Sequence, residues 1–139
     1  MYANAYLFFE GRCEEALQFY QDALGARVEM LLRNRDSPQP PPPGTMPPGT
    51  EDKIMHAAMR IGDTLVMASD GYCQGGASFQ GFALSVSPDS PAEAERVFAA
   101  LGAGGTVRMP LGPTFWSPAF GMVHDRFGVL WMVNVMPAG

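Results

Sequence analysis

The stretch Glu14-Glu15-Ala16-Leu17-Gln18-Phe19-Tyr20-Gln21-Asp22-Ala23-Leu24, closed by Gly25, decides the fold, because its pattern returns later in the chain. Ala16, Phe19, Tyr20, Ala23 and Leu24 recur at intervals of three and four, which places them on one face of an amphipathic helix. Gly25 supplies a left-handed stop. Downstream, Ala94, Val97, Phe98 and Leu101 repeat the spacing, and Gly102 follows in the stop position. Ser90 reads as the N-cap of this second helix, with Pro91 at its first position and Glu93 three residues after the cap, a capping box. The two helices end Leu24-Gly25-Ala26 and Leu101-Gly102-Ala103, an internal echo.

The flanks repeat as well. A short apolar run precedes each helix, Ala5–Phe9 in one case and Phe82–Val86 in the other. Three candidate strands follow each: Arg27–Leu32, Lys53–Ile61 and Thr64–Ser69, then Thr106–Leu111, Pro118–Val123 and Val129–Val135. Gly62-Asp63 marks a tight turn in the first half, and Asp125-Arg126-Phe127-Gly128 a turn in the second. From Leu24 to Leu65 is 41 residues and from Leu101 to Leu130 only 29. Residues 37–50, with seven prolines and two glycines, absorb the difference. Proline cannot donate to a sheet ladder, so this stretch reads as a surface insertion, with a proline-recognition ligand as the other reading. The expected fold is α+β: a single domain, 1–139, with module one over 4–69 and module two over 81–135, each βαβββ and each forming a curved mixed sheet.

Composition narrows the function. With 47% hydrophobic and 17% charged residues in 139, the chain can bury a core without disulfides. A net charge of −5 lacks the basic footprint of a nucleic-acid or anionic-membrane binder. No apolar run is long enough for a membrane span, and no signal peptide opens the chain, so a cytoplasmic location is expected. Cys13 and Cys73 have no zinc-type spacing, and His56 and His124 are too few for a three-histidine site. The motifs GxGxxG, GxxxxGK[ST], GxSxG and HExxH are all missing, which removes nucleotide-cofactor and serine-hydrolase chemistry.

The paired modules resemble the vicinal-oxygen-chelate superfamily of glyoxalases, bleomycin-resistance proteins and extradiol dioxygenases. Locally, Tyr6-Leu7-Phe8-Phe9-Glu10-Gly11-Arg12-Cys13-Glu14-Glu15-Ala16-Leu17-Gln18-Phe19-Tyr20 resembles the opening of its PhnB-like branch. So do Lys53-Ile54-Met55-His56-Ala57, Gly81-Phe82-Ala83-Leu84-Ser85-Val86 and Asp125-Arg126-Phe127-Gly128-Val129-Leu130-Trp131-Met132-Val133-Asn134. The resemblance implies sheets curved into a cup and a homodimer. In metal-using members, His and Glu on the first and last strands of the modules hold a divalent ion that acts as a Lewis acid. Here those positions fall at Ala5, Gly81 or Phe82, Met67 and Met132, and a one-residue shift brings in only Val66 and Trp131. These side chains do not hold a hard cation, so no metal and no other cofactor is expected.

The remaining candidates are few. His56 shares a strand face with Ile54, Ala58 and Arg60, and reads either as a ligand-binding group or general base, or as a histidine bonded within the sheet or at a subunit contact. His124, aligned by the last strands, corresponds to Met59 and so to the opposite face from His56; it reads as a residue flanking the turn, and Asp125 as an acceptor within it. Trp116, between Pro113 and Pro118, suits a pocket mouth or a dimer contact. Met55, Met59, Met67, Met122 and Met132 suit either a plastic core or a malleable cavity. Cys13 begins a helix, but Glu14 and Glu15 oppose its activation.

The reading that follows is a PhnB-like protein binding a small apolar or aromatic molecule in a cup without metal, lined by Phe9, His56, Met67, Trp116, Phe120 and Met132. The alternative is a metal-dependent lyase, isomerase or dioxygenase with a relocated site on Glu10, His56 or His124, completed by the second subunit. A drug-sequestering role of the bleomycin-resistance kind is a further possibility. The demethylubiquinone methyltransferase activity attached to this branch needs a glycine-rich strand-to-helix loop that the chain lacks.

Overall fold

Two units of the same design follow one another in the computed structural model, which describes residues 1–39 and 41–138. The unit Met1–Ala77 contains strand β1 (Tyr6–Phe8), helix α1 (Cys13–Leu24) and strands β2 (Arg27–Arg33), β3 (Ile54–Ile61) and β4 (Thr64–Ser69). The unit Ser78–Gly139 contains β5 (Leu84–Val86), α2 (Pro91–Gly102), β6 (Thr106–Gly112), β7 (Phe120–His124) and β8 (Leu130–Asn134). The sheet orders are β1-β4-β3-β2 and β5-β8-β7-β6. In each, the first strand runs parallel to the last and the other pairs are antiparallel. The α+β class and the βαβββ repeat therefore match the sequence reading.

The helix starts are held differently. Arg12, at the N-cap of α1, makes no side-chain cap. Asp70, just past β4 and 1% exposed, takes that role from a distance. Its Oδ1 accepts the N–H groups of Gly11 and Cys13, and its Oδ2 that of Ile54, each at 2.8 Å. A single buried carboxylate thus fastens the start of α1 to the start of β3, satisfying donors that a helix end otherwise leaves orphaned. For α2 the capping box forms with a shift. Ser90 Oγ accepts from Glu93 N–H at 3.1 Å, but the Glu93 carboxylate takes the N–H of Asp89 rather than that of Ser90.

The helix ends also differ. Gly25 stops α1 in the left-handed region at φ +67°. Gly102, expected to do the same, is instead the last residue of α2, and Gly104 at φ +78° takes the left-handed turn. Gly102 is set against Val123, where an added Cβ would lie 3.3 Å from Cγ2.

The two strand-to-strand turns differ by one residue, and this corrects the alignment of the histidines. Ile61 pairs with Thr64 around Gly62-Asp63, whereas Asp125 N–H bonds Val129 O around three residues, ending in Gly128 at φ +94°. The longer loop makes His124 the partner of Leu130, as Arg60 is of Leu65. His124 is therefore the counterpart of Arg60, not of Met59, and takes the sheet face equivalent to that of His56. Asp125 does accept within the turn, from Phe127 N–H at 2.9 Å and Val129 N–H at 3.1 Å.

The 37–50 insertion leaves the first sheet after β2 through a single 3-10 turn, Asn34–Asp36. Residue 40 lies outside the described residues. The base is closed by Asn34 N–H to Lys53 O at 2.9 Å, Arg35 N–H to Glu51 O at 3.0 Å and an Arg35–Asp52 ion pair.

Candidate functional site

Strand alternation gives each sheet one face against its helix and one open face. In the first sheet Leu7, Ala57, Met59, Val66 and Ala68 are buried, as are Ala16, Leu17, Tyr20 and Ala23 of α1. The opposite face carries Tyr6, Phe8, His56 and Met67, none of them buried. Tyr6 Oη lies 3.0 Å from His56 Nδ1, and the Tyr6 ring packs 4.8 Å from Phe8. This is an apolar surface with one directional polar pair, suited to orienting a small molecule or moving a proton at the phenol.

In the second sheet Val123, Trp131 and Val133 are buried on the helix side. The opposite face carries, by register, Phe120 and Leu130, both buried, and Met122, His124, Met132 and Asn134, which are not. Trp116 stands over Phe120 with ring centroids 5.4 Å apart, and Phe115 meets Trp116 edge-on at 4.8 Å. Asn134 pairs with Phe120 across the strands. Among the described residues, Asn134 Oδ1 is the buried side-chain oxygen without a hydrogen-bond partner. A buried acceptor left open costs free energy unless a donor reaches it.

The anticipated site residues therefore separate into groups. His56 and Met67 share the open face of the first sheet, and Trp116, Phe120 and Met132 share that of the second. Phe9 belongs to neither: it is 2% exposed and packs 6.2 Å from Tyr20 in the helix-side core. Tyr6 and Asn134 were missed. Alternation from His56 and Met132 could have flagged their faces, but nothing local marks Asn134 as unpartnered.

The donor set does not fit a divalent ion. Met67 and Met132 occupy matching register positions, opposite Tyr6 and Ser85. Thioethers are poor donors for hard cations. Val66 and Trp131, one residue away, are 4% and 1% exposed on the helix sides. Among the described residues no three His, Cys, Asp or Glu side chains group to hold a metal, and Glu10 is turned to the Gln74 N–H at 3.3 Å. Cys13 is buried, and burial, reinforced by Asp70 and Glu14, pushes its thiol far above the ordinary range. It stays protonated and inert. Burial, with Asp70 and Glu10 adding to it, also raises the thiol of Cys73.

Known proteins match this architecture along its length. The model of the Glyoxalase/Bleomycin resistance protein/Dioxygenase superfamily matches residues 3–133. Protein YjdN of Escherichia coli is 39% identical over 140 residues, covering 96% of this chain and 94% of its own. The crystal structure of protein PA1353 from Pseudomonas aeruginosa is 45% identical with a TM-score of 0.84, covering 98% of each chain. The PhnB protein from Bacillus cereus is 26% identical with a TM-score of 0.79, covering 97% of this chain and 99% of its own.

Proposed function

The chain belongs to the Glyoxalase/Bleomycin resistance protein/Dioxygenase superfamily, and from that premise we propose that it binds a small apolar or aromatic molecule without a metal ion. Trp116, Phe120 and Met132 supply the contact surface in the second unit, and His56 and Met67 a second surface in the first. The observation that carries this reading is Trp116, 45% exposed and edge-on to Phe120. An aromatic ligand packs on the exposed ring of Trp116. Methionine at positions 67 and 132 favours an apolar ligand over a chelated one.

The same reading has the chain working as a homodimer in the cytoplasm. Phe8 at 53%, Met30 at 47% and Met109 at 43% exposure are apolar side chains that a second copy would cover. Neither cysteine is in a disulfide, which suits a reducing compartment.

A fluorescence titration with 2-naphthol tests the ligand, because Trp116 is half-exposed and Trp131 is buried. Saturable quenching is expected, unchanged after EDTA treatment; by calorimetry, which does not need the indole, Trp116→Ala should bind at least tenfold more weakly. Quenching that does not saturate, or that needs an added divalent ion, would overturn the reading.

A further inference from the structure

The repeat lets each position of one module be compared with its counterpart in the other. In the first, β2 and β3 pair Val28 with Met59 and Met30 with Ala58, so Glu29 is the extra residue of a β-bulge. In the second, β6 and β7 pair Val107 with Val123 and Met109 with Met122, so Arg108 stands at the same bulge. A bulge re-aims the side chain that it leaves unpaired. Across the neighbouring strand the counterparts are Arg60 and His124, as their partners Leu65 and Leu130 establish.

The first module fills these two positions with a charge pair. Glu29 Oε1 accepts from Arg60 Nε at 2.7 Å, and Oε2 from Nη2 at 3.3 Å. The second module fills them with a guanidinium and an imidazole, and no acid. Arg108 and His124 line a cavity of about 400 Å³ with Phe79, Gln80, Phe82 and Leu130. No acidic side chain lines it, and among the described residues neither Arg108 nor His124 has an ion pair or a hydrogen-bonded side-chain partner. The chain as a whole carries −5, so this is a local reversal of its charge.

We propose that this cavity binds a small organic carboxylate that takes the place Glu29 takes in the first module. The planar fork of Arg108 grips the carboxylate through two N–H groups, a geometry that guanidinium and carboxylate share. The His124 ring adds a third donor. Phe79, Phe82 and Leu130 cover the apolar body of the ligand, and the volume suits one benzoate-sized molecule. The site shares no residue with the pocket proposed above, so either stands if the other falls.

The test is a benzoate titration of isotope-labelled protein followed by NMR, with benzamide as the uncharged isostere. Benzoate is expected to bind one per chain and to shift the amides of β6 near Arg108 and of β7 near His124. Benzamide is expected to bind at least tenfold more weakly. Arg108→Gln removes the charge at an exposed position, and its melting temperature verifies that the fold is kept; it should weaken benzoate at least tenfold. Arg108→Glu, which restores an acid at the bulge, should abolish binding. None of these changes should alter quenching of Trp116 by 2-naphthol, which separates this site from the other. No shift with benzoate, equal binding of benzamide, or full binding by Arg108→Gln would each overturn the proposal. So would a dimer, seen by sedimentation, that Arg108→Gln dissociates, because the carboxylate would then come from a second copy.

Discussion

Tyr6 and His56 join β1 to β3 across β4 through a 3.0 Å contact between the phenol oxygen and Nδ1, and the second module carries neither partner. Ser85 faces Met132 as Tyr6 faces Met67, and Phe120 stands where His56 stands. The duplicated scaffold thus has a polar pair on one sheet and an edge-to-face aromatic cluster on the other. Removing the phenol hydroxyl isolates the first of these. Tyr6→Phe retains the packing against Phe8 but leaves Nδ1 without its partner. Because both side chains are half-buried, unfolding free energy should fall by about 1 kcal/mol or less. The ring-nitrogen signal of His56 should move while that of His124 does not. An unchanged His56 signal would mean that the contact does not persist in solution.

Asp70 predicts a much larger effect, because its carboxylate serves three backbone donors at once. Asp70→Ala leaves the N–H groups of Gly11, Cys13 and Ile54 unpartnered, the last two in buried positions. With roughly 1 kcal/mol or more lost for each buried donor, urea denaturation should record a loss of about 2 kcal/mol or more. A loss under about 1 kcal/mol would show that the loop relaxes to admit water.

The Glu29–Arg60 pair predicts a pH dependence of defined sign. Hydrogen bonding and attraction by Arg60 hold the Glu29 carboxyl below the ordinary glutamate range, and Glu29 in turn raises Arg60. The group's folded value is depressed, so its stabilisation is present above the unfolded glutamate value, about 4.3, and lost as pH falls through the folded one. The pair is partly exposed, with side chains 31% and 43% accessible, so the effect is small. Melting temperatures of wild type and Glu29→Gln should differ at pH 7 and converge below about pH 4. A constant difference down to pH 3 would assign the effect to packing.

Much of this architecture is legible in the chain. The helices follow from three-and-four spacing, and Thr64–Ser69 from a run of β-formers after a Gly-Asp turn. The matching Leu65-Val66-Met67 and Leu130-Trp131-Met132 place equivalent strands without any coordinates. Face assignment then depended on turn length, because strand parity inverts with one residue. Asp125 is what makes the second turn longer: it collects Phe127 and Val129 N–H groups on Oδ1 and the Trp131 indole N–H at 2.8 Å on Oδ2. Nothing in the spelling Asp125-Arg126-Phe127-Gly128 fixes that loop at three residues rather than two. Asp70 was equally hidden, since its partners lie 57 and 59 residues upstream at the α1 start and 16 upstream at Ile54. Long-range capping leaves no local signature.

Gly121 tests how the second sheet is seated against its helix. A Cβ there would stand 2.7 Å from Phe98 Cε2, 2.9 Å from Leu111 Cα and 3.1 Å from Leu111 N. The Phe98 ring tip can swing aside, but the Leu111 backbone belongs to β6 and cannot. Gly121→Ala must therefore push β7 and β6 apart, an overpacking that costs about 1–3 kcal/mol. Gly112→Ala is the control, since a Cβ at that position meets nothing within 4 Å and should change stability by no more than about 0.5 kcal/mol. The displacement reaches the open face, because Phe120 adjoins Gly121 and carries Trp116 above it. Gly121→Ala should thus shift Trp116 emission as well as the urea midpoint, whereas Gly112→Ala should shift neither. Equal midpoints for the two variants would mean that β6 slides along β7 without strain.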